Sequence, residues 1–212
     1  MLKFLPQIII VTCVVASTII YIKGIRNDTV KPILATRIFL LLAFFLSALT
    51  DYKQTGLHGL GANLFNIIDV LSILVTFVAM AFSKNQSRKF TKFEMGCLYA
   101  VIIIFLMWIV SRQNILANLL IQAILVIAYL PTLIHLWKSQ ENTESLSAWS
   151  FDFFASLFGI IVSLQTMDLL PLIYGIRSAF CTFAVILFIW RIKFRKVELN
   201  LPKTILVPSS TL

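Results

Sequence analysis

Seven stretches of this chain are too apolar and too long to rest in water. They cover residues 5–22, 33–50, 62–83, 95–111, 114–137, 149–166 and 169–190. A helix of roughly 20 residues crosses a hydrocarbon layer about 30 Å thick. Inside that layer each backbone N–H and C=O must find its partner within the segment, so runs of this kind fold as helices. Composition agrees: 59% of residues are hydrophobic and 13% charged, where a soluble domain has about 45–50% and about 25%. The sequence therefore predicts an all-α membrane protein, a seven-transmembrane-helix bundle.

The connectors alternate in charge. Thirteen of the 18 Lys and Arg residues fall on one side of the expected membrane, from Lys23 through Lys138 to Lys203, and three, Lys3, Lys53 and Arg112, on the other. Basic loops stay in the cytoplasm, so the N-terminus is expected outside and the C-terminus inside. The net charge of +9 then serves orientation and anionic headgroups, with no call for nucleic acid. Lys3, an apolar run and Val15-Ala16-Ser17 also fit a secretory signal. However, Thr18 to Ile22 prolongs the run, and Lys23 and Arg26 would begin a poor exported chain. The cysteines Cys13, Cys97 and Cys181 all lie in apolar runs, and an odd number gives no disulfide framework. No nucleophile elbow, phosphate loop or metal spacing is visible, and His58 and His135 lack neighbouring carboxylates. No enzyme, cofactor or metal is expected. A retinal protein needs a lysine deep in the last span, and the nearest is Lys193, beyond Trp190.

The most telling segment runs from Leu119 to Met167. It holds Tyr129-Leu130-Pro131-Thr132 near the end of the fifth span, a polar tract containing Lys138-Ser139, and then Leu146-Ser147-Ala148-Trp149-Ser150-Phe151. This order resembles the PQ-loop and SWEET group of small transporters, in which a helix ending Leu-Pro-Gln leads to a short polar turn and a Ser-Trp segment. Threonine stands here in place of the signature glutamine, as in a Leu-Pro-Thr variant among small bacterial membrane proteins. The resemblance implies 3+1+3 parallel repeats: residues 1–83 as a first three-helix repeat, 84–112 as a linker helix and 113–197 as a second repeat. Residues 198–212 are expected to form a flexible cytoplasmic tail. It also implies alternating access and a home in a bacterial inner (plasma) membrane. An overlay at an offset of 114 sets Ile22–Thr29 on Leu136–Thr143 and Phe39 on Phe153. Pro131 has no counterpart, Ser17 standing there instead. A proline inside a helix removes a backbone donor and makes a hinge.

Polar residues recur at helical spacing within three spans: Asn63, Asn66, Asp69, Ser72 and Thr76; Asn118, Gln122, Tyr129 and Thr132; and Tyr174, Arg177, Ser178, Cys181 and Thr182. Such stripes face the bundle interior or a water-filled cavity rather than lipid. Asp69 and Arg177 sit seven and eight residues past the starts of parallel spans, roughly 10–12 Å deep at about 1.5 Å per residue. A charge at the centre costs about 2.5–3.5 kcal/mol, so a direct Asp69–Arg177 pair is expected. It would be a transport element, an anchor for a carboxylate or phosphate, or a structural clamp. Arg37 is expected to snorkel to the headgroups. Asp152 should cap the sixth span or face a cytoplasmic vestibule, and Trp108, Trp137, Trp149 and Trp190 should form an interfacial belt.

The function this points to is transport of a small polar solute through a central cavity lined by Asn63, Asn66, Asp69, Gln122, Tyr174 and Arg177, with Pro131 as hinge. The partners are that solute and membrane lipids, with assembly into a homo-oligomer left open. The alternative is a receptor or sensor that binds a small ligand or peptide in the same cavity without moving it.

Overall fold

Local capping chemistry sets where each helix begins and ends. In the computed structural model, which describes residues 5–55, 64–83, 90–111, 114–139 and 141–200, the described residues form seven helices: α1 (Leu5–Arg26), α2 (Leu34–Thr55), α3 (Leu64–Ala81), α4 (Lys92–Val110), α5 (Asn114–Lys138), α6 (Leu146–Thr166) and α7 (Leu169–Asn200). A capping box opens α4: the Thr91 hydroxyl accepts from the Glu94 N–H, and the Glu94 carboxylate accepts from the Thr91 N–H. Ser145 caps α6 through the Ala148 N–H. Met167 adopts the left-handed conformation (φ 53°) that stops α6, and Asp168 Oδ1 accepts from the Leu170 N–H to start α7. Two residues thus suffice to reverse the chain. Asp28 (φ 55°) performs the same stop after α1.

Among the described residues, six helices are long and apolar enough to cross a membrane. In α2 the apolar stretch among the described residues is Leu34–Ser47. α7 runs ten residues past the expected end at Trp190. Arg191, Lys193 and Arg195 end the apolar run, but they are good helix formers and leave the helix itself intact. Residues 198–200 of the expected tail are thus helical, and 201–212 lie outside the described residues.

Packing order is more informative than helix count. α3 packs between α1 and α2, and α7 between α5 and α6. The two triplets meet through α1 with α6 and α2 with α5, which closes a six-membered ring in the order α1, α3, α2, α5, α7, α6. α4 stays outside, mainly against α5, with Tyr99, Ile102, Ile103 and Leu106 exposed. At one end of the ring, here the loop end, the Lys31 N–H donates to the Thr143 carbonyl at 2.9 Å, tying the α1–α2 and α5–α6 connectors together. The opposite end carries the Met167–Asp168 reversal and is here the turn end.

Membrane helices have no hydrophobic force drawing them together, so small residues and hydroxyls take over. A Cβ on Gly175 would come within 2.9 Å of Ile160 Cγ1 and 3.2 Å of the Ile160 backbone nitrogen, so α6 and α7 approach nearly backbone to backbone. Across the ring, Gly159 leaves the space that the Phe65 ring fills, its own Cβ position being 2.8 Å from Phe65 Cδ1. Hydroxyl pairs staple neighbours: Thr18 with Ser72 at 2.6 Å, Thr36 with Thr132 at 3.0 Å, and Ser156 to Ser178 at 2.9 Å. α5 continues unbroken through Pro131.

Candidate functional site

The three polar stripes turn inward. Asn66, Thr76, Asn118, Gln122, Thr132, Arg177, Ser178 and Thr182 are all buried, although their helices offer lipid an apolar face such as Leu71, Leu74 and Val75 on α3. Asn63 lies outside the described residues, as does His58. Asn66 on α3 donates to the Ser47 hydroxyl on α2 at 2.8 Å.

Asp69 and Arg177 come to the same part of the bundle, as matched depth predicts, but they do not form the expected direct pair. Tyr174, one helical turn before Arg177, stands between them. Its hydroxyl donates to Asp69 Oδ2 at 2.5 Å, and its ring lies 4.7 Å from the Arg177 guanidinium carbon. The other side of Arg177 faces α5, where Nε donates to Gln122 Oε1 at 3.1 Å. Gln122 in turn donates to Asn118 Oδ1 at 3.4 Å, one turn back along the same helix. Five of the six expected site residues thus lie in the interior, and Asp69, Tyr174, Arg177 and Gln122 form one chain from α3 through α7 to α5.

Among the described residues Tyr174 and Asp69 border two small cavities. The first, at the turn end, encloses about 20 Å3 and is bordered by Gln7, Asn66, Asn118, Ser163, Pro171 and Tyr174 among others. The second lies towards the loop end, encloses about 50 Å3, and is bordered by Arg37, Asp69, Tyr129, Trp149, Asp152 and Ser178 among others. A water needs about 10–15 Å3 measured this way, so these spaces admit a few waters at most. Between them lies an aromatic layer in which the Tyr174 ring meets Phe65 edge-on at 5.3 Å and Phe44 at 6.2 Å.

The loop end holds a second polar cluster that the sequence did not announce. Glu144, in the connector before α6, is only 4% exposed. Its Oε2 accepts from the Tyr21 hydroxyl of α1 at 2.7 Å and from the Trp149 indole of α6 at 2.9 Å. Burial pushes the Glu144 carboxyl above its ordinary pKa, against the opposing pull of nearby Arg37 and of the hydrogen bonds from Trp149 and Tyr21. Arg37 does not snorkel: it is 7% exposed, with its guanidinium carbon 4.2 Å from the Tyr21 ring centre and 6.0 Å from that of Trp149. Two aromatic faces give the cation an internal resting place. Trp149 accordingly leaves the interfacial belt for the core, while Trp137 and Trp190 remain well exposed. Asp152 borders the larger cavity, and Ser145 supplies the α6 cap.

Chemically the arrangement offers buried hydrogen-bonding groups and a buried guanidinium. Among the described residues no three metal-binding side chains come together, and Cys13, Cys97 and Cys181 are free thiols. Comparison with protein-family models, curated proteins and solved structures gave no match.

Proposed function

We propose that this chain is a membrane transporter that moves a small polar solute by alternating access, with α1–α3 and α5–α7 as two parallel triplets and α4 as the linker between them, in the manner of the SWEET and PQ-loop proteins. The observation that carries this reading is the pair of cavities on either side of the Phe44, Phe65 and Tyr174 layer, each bordered by buried polar groups inside an otherwise apolar ring. A structural clamp has no use for two polar spaces in series. A translocation path interrupted by a closed gate accounts for both.

The ring order supports the two-triplet reading, since α3 within the first triplet occupies the place that α7 occupies in the second. On this reading the turn end faces outside, as the N-terminus does, and the loop end is cytoplasmic, in a bacterial inner membrane. The Tyr21–Glu144–Trp149 cluster then closes the cytoplasmic side and the aromatic layer closes the middle. Opening requires the triplets to rock, and α5 can bend at Pro131, where the backbone donor to the preceding turn is missing. Thr132, next in sequence, is bonded to Thr36 of α2, so a bend at Pro131 is felt directly by the other triplet.

The test is solute flux into proteoliposomes containing the purified chain, over a panel of labelled sugars, polyols, amino acids and organic acids. Faster equilibration of at least one solute than in empty vesicles is expected, with loss of that flux in Asp69→Asn. Saturable binding of a solute without flux would refute transport and leave the receptor alternative.

A further inference from the structure

Arg177 is the most costly residue in the molecule to explain. It is 8% exposed within a membrane bundle, and its guanidinium carries five N–H donors in one plane. Nε is satisfied by Gln122 at 3.1 Å. The Tyr174 ring at 4.7 Å compensates the charge from one face but offers nothing to donors lying in the guanidinium plane. Among the described residues neither Nη1 nor Nη2 has a hydrogen-bond acceptor, and both atoms are buried; the Cys181 thiol, a weak acceptor at best, lies beside the guanidinium. A buried charge normally comes with enough partners to replace its hydration.

The obvious partner is close by and is held away. Asp69 is the nearest acidic side chain on the facing helix, yet its Oδ2 is engaged by the Tyr174 hydroxyl at 2.5 Å. Tyr174 thus does two things with one side chain: its hydroxyl occupies the carboxylate, and its ring keeps that carboxylate apart from the guanidinium. With Nε committed to Gln122, the edge left open is Nη1 with Nη2. That edge is a two-pronged fork that matches the two oxygens of a carboxylate or phosphate. Tyr174 also borders the turn-end cavity and Ser178, next after Arg177, borders the other, so Arg177 sits on α7 between residues that border the two spaces without itself bordering either.

The geometry points to Arg177 as the docking point for an anionic group, a carboxylate or phosphate, on the solute this chain binds. This rests on the transport reading for the word solute, but the binding site itself does not depend on flux. Gln122 orients the guanidinium through Nε, and Tyr174 keeps Asp69 from quenching the fork. An arriving anion completes the hydrogen bonding of Nη1 and Nη2 and stabilises the bundle where it is least satisfied. A neutral solute of equal size does neither.

The experiment measures thermal unfolding of the full chain in nanodiscs with sodium acetate or inorganic phosphate, against acetamide as the neutral isostere of acetate and sodium chloride at matched ionic strength. A rise in midpoint with acetate or phosphate, and none with acetamide or chloride, is expected. The acetate and phosphate arms distinguish the two anion classes. Arg177→Gln should abolish the response. Arg177→Lys, which keeps the charge and loses the fork, should weaken apparent affinity by tenfold or more, so the proposal stays testable if the Gln variant does not fold. Equal stabilisation by acetamide, or a full anion response in folded Arg177→Gln or in Arg177→Lys, would overturn the proposal. Anion binding without flux in proteoliposomes refutes transport and leaves this site standing. Flux of neutral solutes in a protein whose midpoint ignores both anions does the reverse.

Discussion

Tyr174 is the residue on which the central arrangement turns. It touches Asp69 with its hydroxyl, Arg177 with its ring face, and Phe65 and Phe44 with its ring edges and sides. Tyr174→Phe keeps the packing and deletes the hydroxyl, leaving the half-buried Asp69 carboxylate without that donor. Such an orphan costs about 1–3 kcal/mol, so the variant should unfold at lower denaturant in detergent, and an Asp69→Asn change added to it should recover part of the loss. Glu144 gives a different kind of expectation. Its folded-state pKa is raised, so the folded protein holds that proton more tightly than the unfolded chain. The contribution is therefore fully present below the ordinary carboxylate pKa and is lost as pH rises through the raised one. Glu144→Gln keeps an acceptor for Tyr21 and Trp149 and removes the titration. Thermal midpoints followed across a pH series should fall towards alkaline pH in the parent and flatten in the variant. An unchanged slope would place the pH response elsewhere.

At the scale of the elements, the closest contact is that of α6 with α7. With Ile160 Cγ1 and its backbone nitrogen so near the missing Cβ of Gly175, Gly175→Val must push the helices apart. Overpacking of this kind costs about 1–3 kcal/mol, to be read from unfolding in detergent, and the Ser156–Ser178 bond should lengthen with it. The helices themselves were legible in the sequence to within a few residues, because charged or turn residues bracket every apolar run. α2 and the end of α7 were less so. Polar residues in the last turns of α2 and basic residues beyond Trp190 mark where apolarity ends, whereas a helix can continue past that point. The inward stripes were legible for the same reason: a period of three and four is written in the sequence. What that period omits is azimuth relative to other helices. Asp69 and Arg177 were set at matching depth by counting, yet nothing in the count could insert Tyr174 between them. Glu144 was hidden by its setting in a polar tract from Lys138 to Ser147, where a glutamate reads as solvated. Its donors are 123 residues before it and 5 after it. Arg37 escaped for a related reason, since the aromatic faces that hold it come from α1 and α6.

The described residues form a ring of six helices with α4 leaning on its rim, and the orientation of the molecule is open to a direct test. Met167 at the turn end and Asn27 at the loop end are both exposed. In a background with Cys13, Cys97 and Cys181 replaced by serine, Met167→Cys should react with a membrane-impermeant maleimide on intact cells. Asn27→Cys should react only after permeabilisation. The reverse pattern would invert the charge-based assignment. Labelling of both from outside would break the alternating topology. Hydroxyl bonds and glycine contacts join helices both within α1–α3 and α5–α7 and between the two groups.

The bond from the Lys31 N–H to the Thr143 carbonyl has a consequence for anyone comparing variants of this chain. Being main chain to main chain, it survives nearly any exchange of side chains at either position, and only proline at position 31 would delete it. Side chains at positions 31 and 143 are therefore free to change while the two connectors stay joined there. An alanine scan would pass over this joint, whereas hydrogen exchange at the Lys31 amide would find it.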